Sequence, residues 1–218
     1  MRQAEYENDR QPDLPGQTRE EQVMEERFRK QMDFILAADK EKQIFRQTYL
    51  SDGKRKENDA EHAWHLALMA VLLNEYANEK IDVLKVVTMV LIHDIVEIDA
   101  GDTFAYDKEG QKTAHEREQK AAVHLFGLLP EDQGNQFMSL WEEFEAYGTP
   151  EARFAHTLDN FQPLMLNNAS DGKSWKEHQV KKENILKRNE KTGSGSEKIW
   201  DYMKLLIEKN VEKGAVLQ

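Results

Sequence analysis

Cysteine is absent from all 218 residues, which removes thiol nucleophiles, disulfides and thiolate zinc sites together. Any bound metal must be held by His, Asp or Glu. Basic residues are also scarce: 30 Lys and Arg stand against 41 Asp and Glu, a formal net charge of -11. Long nucleic acids need a surface of clustered cations, so that class of partner is not expected. A small anionic substrate, gripped by a cation and one or two arginines, is still compatible. No stretch approaches the roughly 18 unbroken apolar residues of a membrane span, so no membrane partner is expected either. The opening segment, MRQAEYENDRQPDLPGQTRE, has no apolar core and does not read as a signal peptide. Residues 1–19 are expected to form a loose polar tail on a soluble, cytoplasmic protein.

What is present suffices for one sizeable core and falls short of two. Helical period dominates, and no convincing alternating strand emerges. The expectation is one all-α domain over residues 20–218. Glu20 to Ala38 gathers Val23, Met24, Phe28, Met32, Ile35 and Leu36 on one face. A short helix is expected at Ile44, Phe45 and Tyr49, followed by a turn at Ser51–Lys54. Asn58 and Glu61 have the spacing of a capping box. The helix they open, to about Ala77, is apolar nearly all round, Trp64 included, and is expected to be central and buried. Asp82 caps the next, expected to run unbroken to about Ile98 and to end at Gly101. Further helices are expected at Thr113–Phe126, Asp132–Ala146, Pro150 to about Leu166 with a kink at Pro163, and Ser196–Glu212. Lys173 to Asn189 is basic and sparsely apolar and reads as a solvated helix, not a nucleotide clamp.

The informative residues are His93, Asp94 and Glu97, set in a run that is otherwise apolar. On a continuous helix Glu97 lies about 40° from His93, and Asp94 about 100° from it, all on one side. A buried carboxylate without a partner is costly. Two carboxylates and an imidazole on a buried face therefore ask for a cation. The competing reading pairs Asp94 with a Lys or Arg from another helix, but the neighbouring apolar helices offer few. His62 and His65, roughly one turn apart on the preceding helix, could each supply a further ligand.

In order, these blocks resemble the HD-domain metal-dependent phosphohydrolases, whose signature is H…HD…D. ENDAEHAWHLAL at Glu57–Leu68, LIHDIVEIDAGD at Leu91–Asp102 and LWEEFEAYGTPEARFAHTLD at Leu140–Asp159 are similar to the 5'-deoxynucleotidase branch of that superfamily. The resemblance spans roughly residues 46–166. It implies an HD-type helical bundle with a buried metal site, whose ligands are His62, His93, Asp94 and Asp159; His65 returns to a structural role. Two imidazoles and two carboxylates suit one divalent transition ion such as Mn, Co, Fe, Ni or Zn.

The same resemblance implies Glu97 as the catalytic acid that handles the proton of the attacking water. Asp102 matches a second acid that meets substrate, although a turn aspartate reads equally well there. Arg46 resembles the arginine that orients the phosphate, one residue farther from His62 than the family spacing, with Arg55 as its competitor. The branch often carries Trp directly after that arginine, beside the sugar; this chain has Gln47, so selectivity for a 2'-deoxy sugar is not carried over. The implied activity is hydrolysis of the 5'-phosphate of a (deoxy)nucleoside monophosphate by a homodimer. An HD-type phosphodiesterase, a hydrolase of polyphosphorylated nucleotides and a non-catalytic nucleotide-binding regulator are the rivals.

Overall fold

In the computed structural model, residues 18–101 and 111–218 are described. The polar segment 1–17 and Asp102 lie outside the described residues. Helix α1, Arg19–Ala38, opens on a capping box in which Thr18 and Glu21 satisfy each other's backbone N–H groups. Its burial is slight: Phe34 packs on Phe126 and Phe137, while Val23, Met24, Phe28, Ile35 and Leu36 are each more than half exposed.

The short helix expected around Phe45 is instead a strand. β1, Phe45–Tyr49, pairs antiparallel with β2, Lys56–Asn58, through a tight turn in which Gly53 adopts φ +67°. The stretch Phe-Arg-Gln-Thr-Tyr is rich in β-formers, and the Ser-Asp-Gly turn after it lets the chain double back. Thr48 is buried and Phe45 is open to solvent. Two short strands give too little alternation for a periodicity argument to detect. Apart from this hairpin and one parallel bridge between Lys181 and Leu217, the described residues fold as helices and connecting turns.

Helix α2, Asp59–Leu73, starts on the Asn58–Glu61 capping box. Its inner face carries His62, Ala63, Leu66, Met69 and Ala70, all buried. The opposite face, expected to be buried too, is open: Trp64 is 63% exposed, and Leu68, Val71 and Leu72 lie along the same side. An apolar helix is therefore half core and half surface here, because among the described residues no element packs over its second face.

Helix α3, Val83–Ile92, is capped by Asp82, whose side chain accepts from Leu84 and Lys85. It does not run on to Ile98. The helix stops at Ile92, tight four-residue turns carry Ile95 N–H to Ile92 O and Glu97 N–H to Asp94 O, and a single turn, α4, Glu97–Ala100, follows. Gly101, at φ +78°, closes it in a conformation other residues resist. The His93-Asp94 pair thus sits at a helix end, not within a helix.

α5, Gln111–Phe126, and α6, Glu131–Ala146, lead to α7, Pro150–Ala169. Thr149 caps α7, Pro150 takes its first turn, and the helix continues through Pro163 to Ala169. The basic stretch after it is two short helices, α8, Lys173–Glu177, and α9, Lys182–Arg188, not one solvated helix. Trp175, Val180 and Ile185 anchor them in the core, which sequence reading underrated because three apolar residues are diluted among charged ones. α10, Glu197–Glu212, capped by Ser196, lies along α7.

Two apolar clusters result. One joins α2, α3, α7 and α10 through Leu66, Met89, Phe154, Leu158, Met203 and Ile207. The other joins Phe34, Ile92, Ile95, Val96, Leu125, Phe126 and Trp141. Each large apolar side chain so buried contributes about 1.5–3 kcal/mol. His93 and Asp94 lie where α3 passes from the first cluster to the second, fixed by packing on both sides. Among the described residues no helix is long and apolar enough to cross a membrane.

Candidate metal centre and its cavity

Four elements converge on one point. The first turn of α2 delivers His62, the end of α3 delivers His93 and Asp94, the middle of α7 delivers Asp159, and β1 delivers Arg46. His62 Nε2 stands 3.0 Å from Asp159 Oδ1 and 3.9 Å from Asp94 Oδ2. His93 Nε2 stands 3.0 Å from Asp94 Oδ2 and 3.8 Å from Asp159 Oδ1. The ligand atoms of His62, His93 and Asp159 all lie within 4.8 Å of one another.

Asp94 is shared between the histidines and Arg46. Its Oδ2 accepts from Arg46 Nη1 at 2.6 Å, and the same nitrogen reaches Asp59 Oδ1 at 3.2 Å. The cationic partner thought to be lacking on neighbouring helices is therefore present, supplied by the strand that had been expected to be a helix. It does not neutralise the site. Arg46 feels Asp94, Asp159, Glu97 and Asp59 together, and they keep it charged against the cost of its burial.

The titration behaviour follows from this excess of carboxylate. Burial opposes ionisation of Asp94 and Asp159, yet both are held below the ordinary carboxylate range, Asp94 by His93 and Arg46 and Asp159 by its hydrogen bond to His62 and the nearby charge of His93. Burial also opposes a charge on His93, but Asp94 and Asp159 outweigh it and push its pKa up. His62 is pushed down, first by burial and then by Arg46. Nearby, burial pushes buried Glu41 up to about 8 and buried Glu57 to about 7.

A divalent cation fits this donor set. Nδ1 of His93 donates to the Val90 carbonyl at 2.9 Å, which directs Nε2 inward. That nitrogen is buried and makes no hydrogen bond among the described residues, despite the carboxylates around it. Inward-facing imidazole nitrogens beside ionised carboxylates are the ligand set of a borderline first-row ion.

The centre opens into a cavity of about 400 Å³, lined near the ligands by Arg46, Gln47 and Glu97. Glu97, the first residue of α4, is half-buried and faces the same space. Gln47 is held by the Lys56 ammonium. Arg55 is elsewhere, paired with Glu61 on the surface at 2.8 Å, so of the two arginines only Arg46 faces the cavity. His65 stacks on Trp64 and meets Gln162 at 3.3 Å. Trp64, expected in the core, faces solvent.

Several cavity residues escaped sequence reading. His156 lies one turn before Asp159, stacked between Phe144 and Tyr147 at 3.8 and 4.1 Å, and burial pushes its pKa down to about 4. Asn160 and Asn167 line the cavity from α7, and Trp175 and Arg188 line it from α8 and α9. Arg188 belongs to the basic stretch read as mere solvated surface; its clue was the spacing of Trp175, Val180 and Ile185, which turns that stretch inward. On the α5–α6 side, His115, Glu118 and Glu145 bring ligand-type atoms within 4.8 Å of one another. Burial raises both glutamates, with Asp94 adding to the effect at Glu118 and Glu118 adding to it at Glu145.

Comparison with known proteins agrees with this geometry. Residues 38–200 match the family model described as "HD domain". The crystal structure of a predicted metal-dependent phosphohydrolase from Magnetospirillum magnetotacticum MS-1 superposes with a TM-score of 0.85 at 47% identity, covering 89% of this chain and 98% of that one. Among curated proteins, 5'-deoxynucleotidase HDDC2 of Danio rerio is 30% identical over 112 residues, 51% of this chain and 54% of that protein. The Homo sapiens protein of the same name is 30% identical over 112 residues, 51% of this chain and 53% of its own length. The chain thus spans about half the length of these curated relatives.

Proposed function

Since the chain belongs to the HD-domain family, we propose that it is a metal-dependent phosphohydrolase that releases phosphate from the 5' position of (deoxy)nucleoside monophosphates. The observation that carries this reading is the convergence of His62, His93, Asp94 and Asp159 beside a half-buried arginine, against a cavity of about 400 Å³. That volume lies in the range of small-molecule sites. The relatives named 5'-deoxynucleotidase support a nucleotide as the substrate.

A divalent ion held by His62, His93, Asp94 and Asp159 would supply Lewis-acid polarisation of a phosphate oxygen and make water a stronger nucleophile. The chain's own residues do the rest. Arg46 engages Asp94 and Asp59 through Nη1, which leaves its other guanidinium N–H groups to face phosphate oxygens and stabilise charge that builds in the transition state. Glu97 accepts the proton of the attacking water. Asp102 contacts substrate from the segment just beyond Gly101. Gln47 sits next to Arg46 at the cavity wall, where it meets the sugar; an amide there can hydrogen-bond a 2'-hydroxyl, so ribose is not shut out. Two molecules associate as a homodimer, for which the open apolar face of α2 is the support.

The test is phosphate release from ribo- and deoxynucleoside monophosphates with Mn, Co, Fe, Ni, Zn or no metal added to chelator-treated protein. Release that requires a metal and prefers monophosphates over cyclic nucleotides and triphosphates is expected. Turnover of cyclic or polyphosphorylated nucleotides alone would replace this reading with the diesterase or polyphosphate one. Tight nucleotide binding without turnover would point to a regulator.

A further inference from the structure

One turn beyond Asp159 on α7 lies Gln162, whose side chain is wholly buried at 0% exposure. Its Oε1 is 3.0 Å from His62 Nδ1, and its Nε2 is 2.8 Å from Glu57 Oε2. Glu57 is itself 1% exposed and comes from β2, just ahead of the helix that carries His62. A buried polar relay therefore runs from the hairpin through α7 to the imidazole.

The direction of that relay is fixed by what each group can offer. Gln162 Nε2 donates to Glu57 Oε2, which orients the amide with its nitrogen toward β2 and its oxygen toward His62. Because that oxygen only accepts, Nδ1 of His62 must carry the hydrogen. Nε2 is left with its lone pair, facing Asp159 Oδ1 at 3.0 Å. Both nitrogens of His62 thus face acceptors, and a neutral imidazole can donate to one of them only. A cation at Nε2 would complete the second contact.

Resting on the metal site of the proposed function, we propose that Gln162, backed by Glu57, is a positioning residue that locks His62 in its Nδ1–H tautomer and so presents Nε2 to the metal. A neutral amide suits this task better than a carboxylate in direct contact with Nδ1. It accepts the N–H without favouring the imidazolium, which would compete with the metal. The second hydrogen of the amide nitrogen points to His65 Nδ1 at 3.3 Å, which gives the otherwise idle His65 a supporting place in the relay. Outer hydrogen bonds of this kind are worth roughly 10–100-fold in metal affinity.

The experiment is titration of chelator-treated protein with Co, followed by its absorption spectrum and by competition with a chelator, from pH 6 to 9. Gln162→Met keeps the side-chain length and removes the acceptor; Gln162→Glu keeps the acceptor and adds charge. Expected is a Kd for Co weakened about 10–100-fold in Gln162→Met. Gln162→Glu should recover most of the affinity at pH 8–9 and load only at higher pH than the parent. Equal Co affinity in Gln162→Met and parent would overturn the proposal, as would equal weakening in both variants with the parent's pH profile. Should Gln162→Met fail to fold, Gln162→Glu decides alone, and an unshifted loading profile overturns it. Absence of Co binding in the parent would sink the relay and the metal site together. A parent that binds Co without hydrolysing nucleotides would sink only the proposed activity.

Discussion

Arg46 donates from Nη1 to Asp94 Oδ2 at 2.6 Å, so the guanidinium aimed at the phosphate also leans on a carboxylate proposed to bind the metal. The two roles separate on substitution. Arg46→Ala removes a positive charge next to the ligands, leaving the site more negative. Co should bind as tightly as before or tighter, while kcat/KM for phosphate release falls by about 10²–10³. Loss of Co from this variant would instead mean that Arg46 props Asp94 in place.

Glu97 and Asp94 should part in the opposite way. Asp94→Ala is expected to lose both metal and activity. Glu97→Gln should retain the metal and lose roughly 10²–10⁴ in kcat, the usual worth of a proton-transferring group. Elemental content beside initial rates distinguishes them. A Glu97→Gln protein with parental kcat would remove Glu97 from the chemistry.

How much of this was legible beforehand divides along one physical line. The helix starts at Asn58, Asp82 and Thr149 were readable because capping depends on residues a few positions apart. His62, His93, Asp94 and Asp159 were picked out as misplaced polar residues and by resemblance, and the fold gathers them. The break after Ile92 was not legible, because an apolar run with helical period looks the same whether or not it stops there. The strand at Phe45–Tyr49 was missed for want of length, and with it the source of the Arg46 contact to Asp94. The open face of α2 could not be read at all, since hydrophobicity shows that a face wants cover and not whether the same chain supplies it.

Proton and metal compete at His93. Asp94 and Asp159 raise its pKa in the metal-free protein although burial works against them. Metal affinity should therefore drop as pH falls through that raised value, earlier than for an ordinary imidazole near 6.5. The linked stability has a definite sign. The raised His93 contributes fully below about pH 6.5 and loses its contribution as pH rises through its folded value. The depressed Asp94 and Asp159 contribute above about pH 3.8 and lose it as pH falls through theirs. For these three groups taken together, chelator-treated protein should be most stable between those limits. Added Mn should raise Tm more at pH 8 than at pH 6, and an equal rise at both would contradict this account.

Glu41 is a second pH-sensitive point. It is buried, with Oε1 lacking a hydrogen bond among the described residues, and burial lifts its pKa to about 8. A raised carboxyl stabilises fully below its unfolded value near 4.5 and progressively less as pH climbs to 8. Glu41→Leu removes that burden. Thermal melts of chelator-treated protein should show Tm higher than parent by about 4 °C or more at pH 8.5, on the order of 2 kcal/mol, and a smaller gain at pH 5. A variant less stable than parent at pH 8.5 would show that the carboxylate is paired in a way the burial does not suggest.

The apolar face of α2 bears on association. Trp64, Leu68, Val71 and Leu72 fall at spacings of four, three and one residues, so they form one stripe on the side of the helix turned from the core. Leu84 and Leu91 on α3, which packs against α2, are also open. A single scattered leucine would mean nothing, but a contiguous apolar stripe on a helix pair is what a partner surface looks like. A second copy is the simplest cover, because a self-complementary patch closes as a two-fold pair and leaves nothing exposed for further growth. Light scattering should give twice the 25.4 kDa chain mass. Trp64→Glu combined with Leu72→Glu should give the single mass, since burying two carboxylates opposite two more costs several kcal/mol. Trp64 stacks on His65, which contacts Gln162, so Co affinity in the monomer shows whether the interface also steadies the relay to His62. A double variant that stays at twice the chain mass would place the contact elsewhere, with the open face of α1 next to be tested.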